Sequence, residues 1–121
     1  MVKKIVVAGC RYYQNYKEAK EYINYCISNI KNKYTLIFVS GGCIGGDILG
    51  EKYARENGYE IERYMAEWDK YGRRAGPKRN EKMAQIADYV ICFWDGESKG
   101  TKSMISSARK YNKPLRIKYI T

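Results

Sequence analysis

Apolar positions along the chain alternate between a continuous and a helical rhythm. Lys3 to Ala8 is a short apolar run closed by Gly9-Cys10-Arg11, which predicts a first buried strand. From about Asn15 to Lys31, residues Ala19, Tyr22, Ile23, Cys26, Ile27 and Ile30 recur at helical spacing between charges, which predicts a helix. Tyr34 to Val39 reads as a second strand, and about Gly46 to Asn57 as a second helix stopped by Gly58 as a C-terminal cap. Tyr59 to Tyr64 alternates as a third strand. Met65 to Lys78 is basic and carries Gly72, Gly76 and Pro77, so it is expected to be irregular. A helix is expected from Pro77 to about Ile86, and a central strand, covered on both faces, over the very hydrophobic Tyr89 to Trp94. A helix over about Thr101 to Tyr111 and a strand over Leu115 to Ile120 complete the pattern.

Strands alternating with helices predict an α/β fold: a single Rossmann-like, doubly wound domain over residues 1–121, with about five parallel strands and helices on both faces. In such sheets ligands bind beyond the carboxyl ends of the strands, where strand order reverses. Gly9 to Arg11, Ser40 to Asp47, Trp68 to Arg79 and Trp94 to Thr101 all emerge at that edge.

The chemistry of those loops is polar and glycine-rich. Val39-Ser40-Gly41-Gly42-Cys43-Ile44-Gly45-Gly46-Asp47 places four glycines between a strand and a helix, where bare N–H groups and a helix N-terminus favour a phosphate or another polar ligand. It is neither GxGxxG nor a P-loop. Asp47, in the first helical turn, could accept from a ribose hydroxyl or serve only as a helix-start acid. Ser98-Lys99-Gly100-Thr101 offers a second phosphate contact or a helix cap. Between Lys70 and Lys82 six cations face one acid, Glu81, and Arg74 and Arg79 are the candidates for gripping phosphate. Trp68 and Trp94 sit at strand ends, where an aromatic can stack on a base, core packing being the other reading for Trp94.

Composition narrows the partner. A net charge of +10 calls for something anionic: a phosphorylated small molecule, nucleic acid or an acidic surface. Histidine is absent and the four cysteines lack CxxC spacing, so no metal site and no Cys–His pair are expected; no cofactor is expected either. The chain shows no signal peptide and no apolar run of membrane-spanning length, and the expectation is a cytoplasmic protein with no membrane partner.

Four motifs in order then resemble a known group: residues 39–47, Trp-Asp-Lys-Tyr-Gly-Arg-Arg-Ala-Gly-Pro-Lys-Arg-Asn at 68–80, Ala-Asp-Tyr-Val-Ile-Cys-Phe-Trp-Asp-Gly at 87–96, and Ser-Lys-Gly-Thr at 98–101. Together they resemble the small YspA-like (cpYpsA-related) branch of the SLOG superfamily, which also contains LOG phosphoribohydrolases and the DprA core. The resemblance runs from Ile5 to about Ile117. It implies a pocket for a nucleotide-derived ligand that is sensed, sequestered or processed, often near bacterial and phage conflict systems. Carried over, the binding residues are Gly41, Gly42, Gly45, Asp47, Arg79, Asn80, Ser98, Gly100 and Thr101. Gly9 and Arg11 match the family's Gly-Ser-Arg segment, with Cys10 in place of its serine, and Ser40, Trp68, Arg74 and Trp94 complete the candidate set.

LOG enzymes carry Gly-Gly-x-Gly-Thr-x-x-Glu, whose glutamate serves N-glycosidic cleavage. Here Met104 stands at that position, so the favoured reading is binding rather than turnover, with no catalytic residue assigned. Asp47, Glu81, Asp95 and Glu97 are the carboxylates that would have to substitute in a hydrolase, the alternative reading. DNA binding is the second alternative, motivated by charge and by the DprA resemblance, and a homo-oligomer stays open.

Overall fold

The computed structural model describes all residues from Met1 to Thr121. Five strands, β1 (Val2–Gly9), β2 (Thr35–Ser40), β3 (Glu60–Arg63), β4 (Tyr89–Trp94) and β5 (Leu115–Tyr119), form one sheet in the order β3-β2-β1-β4-β5. All four pairings are parallel. The chain winds outward from β1 in one direction through β2 and β3, and in the other through β4 and β5. The switch point therefore lies between β1 and β4, which puts the loops after these two strands side by side.

Alternation along the strands divides the core in two. Ile5, Val7, Leu36, Phe38, Ile91 and Phe93 face α1 (Tyr16–Ile27) and α2 (Gly46–Glu56), where Tyr13, Ile23 and Tyr53 pack against them. Val6, Ala8, Val39, Val90 and Cys92 face α4 (Ala75–Ile86) and α5 (Lys99–Lys110), meeting Met83, Met104 and Ile105. Burial on both faces explains why β1 and β4 read as unbroken apolar runs. Each fully buried aliphatic side chain contributes roughly 1.5–3 kcal/mol. The outer strand β5 turns Arg116 and Lys118 toward Tyr25 and Tyr22, a charged face that discourages further strand addition.

Gly58 caps α2 as expected, with φ +74°. Its N–H donates to Arg55 O at 3.3 Å while that of Tyr59 donates to Ala54 O at 2.8 Å, the paired bonds of a Schellman motif. Four boundaries differ from the sequence reading. The last helix, expected from about Thr101, starts at Lys99 after the N-cap Ser98. The helix expected to reach Lys31 ends at Ile27, where the Ser28 hydroxyl donates to Tyr25 O at 3.0 Å and competes with the helical ladder. The stretch 65–78, expected to be irregular, forms α3 (Trp68–Tyr71) and a 3-10 turn (Gly72–Arg74). Then α4 starts at Ala75, ahead of Pro77, because a proline in the first helical turn lacks only an N–H that has no partner there anyway. No helix is long and apolar enough to cross a membrane.

Candidate ligand-binding cleft

At the carboxyl edge of the sheet a cleft of about 730 Å³ opens between the ends of β1 and β2 and the first turns of α4 and α5. Its walls bring together Gly9, Arg11, Gly42, Asp47, Trp68, Arg79, Asn80, Ser98, Gly100 and Thr101 from the sequence-derived set. The loops reach it because β1 and β4 are neighbours at the switch point, and the N–H of Cys10 donates to Phe93 O at 3.2 Å to hold the two loop bases together.

The glycine loop is shaped chiefly by packing. A Cβ at Gly46, the first residue of α2, would lie 2.4 Å from Gly9 Cα, and one at Gly45 would lie 2.0 Å from Cys10 O. Helix α2 therefore starts flush against the end of β1, and only glycine permits the approach. Gly45 faces that contact and lies outside the cleft lining. Gly41 also lies outside it, buried beneath Arg79 and Asp47: its carbonyl accepts from Arg79 Nη1 at 2.9 Å and its N–H donates to Asp47 Oδ2 at 3.1 Å.

Asp47 is 5% exposed and lies at the base of the loop. Burial pushes its carboxyl up to about 6, against the pull of the Arg79 guanidinium and of the Cys43, Gly41 and Gly9 N–H groups. It is the only carboxylate on the cleft wall. Arg79 braces the same loop from α4: beyond Gly41 O, Nε donates to Asn80 Oδ1 at 3.0 Å and Nη2 meets Cys43 Sγ at 3.6 Å. Both terminal nitrogens keep an N–H free. Behind the loop, Ser40 is buried and its Oγ accepts from Gly42 N at 2.9 Å. Glu51 lies behind it; burial pushes its carboxyl up, but Arg63, Ser40 and Arg55 pull it net below the ordinary value. Arg63 Nε donates to that carboxylate at 3.0 Å. Ser40 is thus a buried strut rather than a cleft residue.

The opposite wall is the start of α5. Asp95 accepts from the N–H groups of Ser98 and Glu97, which hold its carboxyl down to about 2. That turn delivers Ser98 as the N-cap, yet no side chain caps the helix. The N–H groups of Lys99, Gly100 and Thr101 consequently have no acceptor within the protein. Thr101 is buried and its hydroxyl donates to Cys10 Sγ at 3.9 Å. Asn80 Nδ2 ties α4 to α5 through Ser103 Oγ at 3.1 Å. Arg11 and Lys99 line the cleft with neither an ion pair nor a hydrogen bond. Trp68 leans an edge on Gly76 but stays 58% exposed, leaving an aromatic surface at the mouth.

Besides Ser40, Gly41 and Gly45, two more sequence-derived residues lie off the cleft. Trp94 turns its ring onto Tyr119, 5.9 Å between centroids, and donates from Nε1 to Ser98 O at 3.1 Å, so it shapes the loop from outside the cleft. Arg74 lies exposed on the 3-10 turn, off the lining. Met104, which the sequence resemblance sets against the LOG glutamate, is 1% exposed in the core between α4, α5 and the sheet. Glu81, Asp95 and Glu97 also lie off the cleft wall. Conversely, Met83 and Ser103 line the cleft unforeseen, although each is three residues past a candidate, Asn80 or Gly100, on the same helical face. Cys43, Ile44, Gly76 and Pro77 are further lining residues outside the candidate set.

No protein-family model matches the chain. It is 32% identical over 91 residues to the Gene 61 protein of Mycobacterium phage D29, a match spanning 70% of this chain and 73% of that protein. Among solved structures, DprA from Streptococcus pneumoniae superposes with a TM-score of 0.69 at 18% identity, covering 97% of this chain and 50% of that one. DprA from Helicobacter pylori, described for its single-stranded DNA binding mode, gives 0.69 at 21% identity, covering 95% and 64%. TM1055 gives 0.66 at 20% identity, covering 95% and 72%. The chain thus has the Rossmann-like fold of DprA and TM1055, spanning half the length of the first DprA and under two thirds of the second. At these identities the likeness is one of fold.

Proposed function

We propose that this chain, which belongs to the family of the Mycobacterium phage D29 Gene 61 protein, binds a phosphorylated nucleotide derivative and acts as its sensor or sink, in the manner of the YspA-like branch of SLOG proteins. The observation that carries the reading is the uncapped start of α5. Three N–H groups without acceptors open onto a cleft that also holds the unpaired cations Arg11 and Lys99. A phosphate there completes the helix terminus and meets the positive end of its dipole. Trp68 offers a stacking surface for a base at the mouth.

Glycosidic hydrolysis has weaker support. A hydrolase needs a carboxylate free to stabilise the sugar cation or activate water. Asp47 alone is in place, and it already accepts from the loop N–H groups. Strand binding draws on the net charge of +10 and on the reported mode of Helicobacter pylori DprA. Native mass spectrometry of the purified protein, followed by denaturation and identification of what is released, separates these readings. A co-purifying intact nucleotide derivative is the expected result. A free base with a ribose phosphate would put the hydrolase first. Protein that is empty, and that binds oligonucleotides of any sequence with steep salt dependence, would replace the proposal with strand binding.

A further inference from the structure

The cleft is not isolated. A second cavity of about 440 Å³ lies on the other side of Arg79, and Arg79 lines both. The partition is α3: Trp68 at its start faces the cleft, while Tyr71 at its end faces the second cavity. Helix α4 presents Lys78 and Lys82, one turn apart, to that cavity. Lys78 Nζ lies 4.5 Å from the Tyr71 ring centroid and has no carboxylate partner, and Lys82 has no polar partner at all. Of the acids there, Glu81 is held by Lys110 at 2.8 Å and by Tyr111, leaving Glu67 as the one unpaired carboxylate. Two adjoining cavities of ordinary ligand size, each with an aromatic on the dividing helix and cations without a carboxylate partner, share one arginine whose terminal N–H groups are only half engaged; Lys70 Nζ also lies 5.1 Å from the Tyr71 centroid.

We propose that the ligand is a dinucleotide, with one nucleoside unit against Trp68 in the cleft, the second in the cavity beside Tyr71, and its phosphates meeting α5, Arg79, Lys78 and Lys82. The inference rests on the nucleotide reading above and extends it by naming the second unit. A mononucleotide reaches only the cleft. A dinucleotide gains the charge-assisted contacts of the second cavity, on the order of tenfold or more in affinity.

The test is isothermal titration with the four 5′-ribonucleoside monophosphates, the matching diphosphates, and the matching 5′-phosphorylated homodinucleotides and homohexanucleotides. The diphosphates carry the dinucleotide's charge without its second base. At least one dinucleotide is expected to bind about tenfold tighter than both its mono- and diphosphate. The double variant Lys78→Gln/Lys82→Gln is expected to remove that gain while leaving monophosphate binding within about twofold, the changes being on an exposed helix face away from the cleft. Monophosphate binding with no gain for the dinucleotide would overturn this inference and leave the nucleotide reading standing. Binding of none of the probes would defeat both. Affinity that keeps rising from dinucleotide to hexanucleotide would overturn it in favour of a continuous strand.

Discussion

Asp47 gives the sharpest quantitative test of how the glycine loop is built. The carboxyl moves from an ordinary 3.8 to about 6 because burial outweighs Arg79 and the loop N–H groups. At about 1.36 kcal/mol per pKa unit, the ionised form is disfavoured in the fold by about 3 kcal/mol relative to the unfolded chain. Between pH 4 and 6 the unfolded chain has released this proton while the folded one retains it. The contribution of Asp47 to stability is therefore largest below about pH 4, declines as pH rises to about 6, and is flat above. Asp47→Asn removes the titration and replaces it with a constant offset. Urea unfolding of both proteins at pH 4, 5, 6 and 7 isolates the residue, because every other group cancels in the difference. The stability of the parent minus that of the variant should fall by about 2.4 kcal/mol from pH 4 to pH 7, the unfolded carboxyl being already more than half ionised at pH 4, roughly 8–10 °C in relative melting temperature. A difference independent of pH would refute the claim that this carboxylate is buried and ionises against the fold.

Two further substitutions probe the same loop. Gly46→Ala should lower stability by about 1–3 kcal/mol in urea unfolding, since the methyl would overlap the Gly9 backbone; helix propensity alone predicts a gain, so the sign decides. Arg79→Ala should cost about 2–3 kcal/mol and abolish nucleotide binding in a calorimetric titration, by freeing the Gly41 carbonyl and leaving Asp47 without its cation. Arg79→Lys should restore neither, because an ammonium cannot bond Gly41 O and Asn80 Oδ1 from one planar group.

The strands and their order in the chain were readable because burial on two faces leaves unbroken apolar runs, and Tyr89 to Trp94 announces a central strand without ambiguity. The short helix at Trp68 was not, since four residues hold no period and the surrounding glycines and proline read as breakers. Within the cleft, the loops that form the rim followed from topology alone. The roles inside them did not. Gly45 and Gly46 look in sequence like a bare phosphate cradle, but their reason is contact with Cys10 and Gly9, residues brought there only by the β1–α2 crossing. Packing was the alternative for Trp94 and not for Trp68, and the contacts of Tyr119 with the first and Gly76 with the second put Trp94 outside the cleft and Trp68 at its mouth. Asp47 and Arg79 drew attention as ligand contacts, and the structure engages both in bracing the loop, a use that spacing cannot reveal.

The central claim, that phosphate is received at the start of α5, is tested most directly by a ¹⁵N–¹H correlation spectrum of the protein titrated with a nucleoside monophosphate. The account predicts saturable shifts of the Lys99, Gly100 and Thr101 amides and of the Trp68 indole, with downfield movement of the amides as they gain an acceptor. Shifts absent there and spread instead over the lysines of the outer helical faces would contradict it.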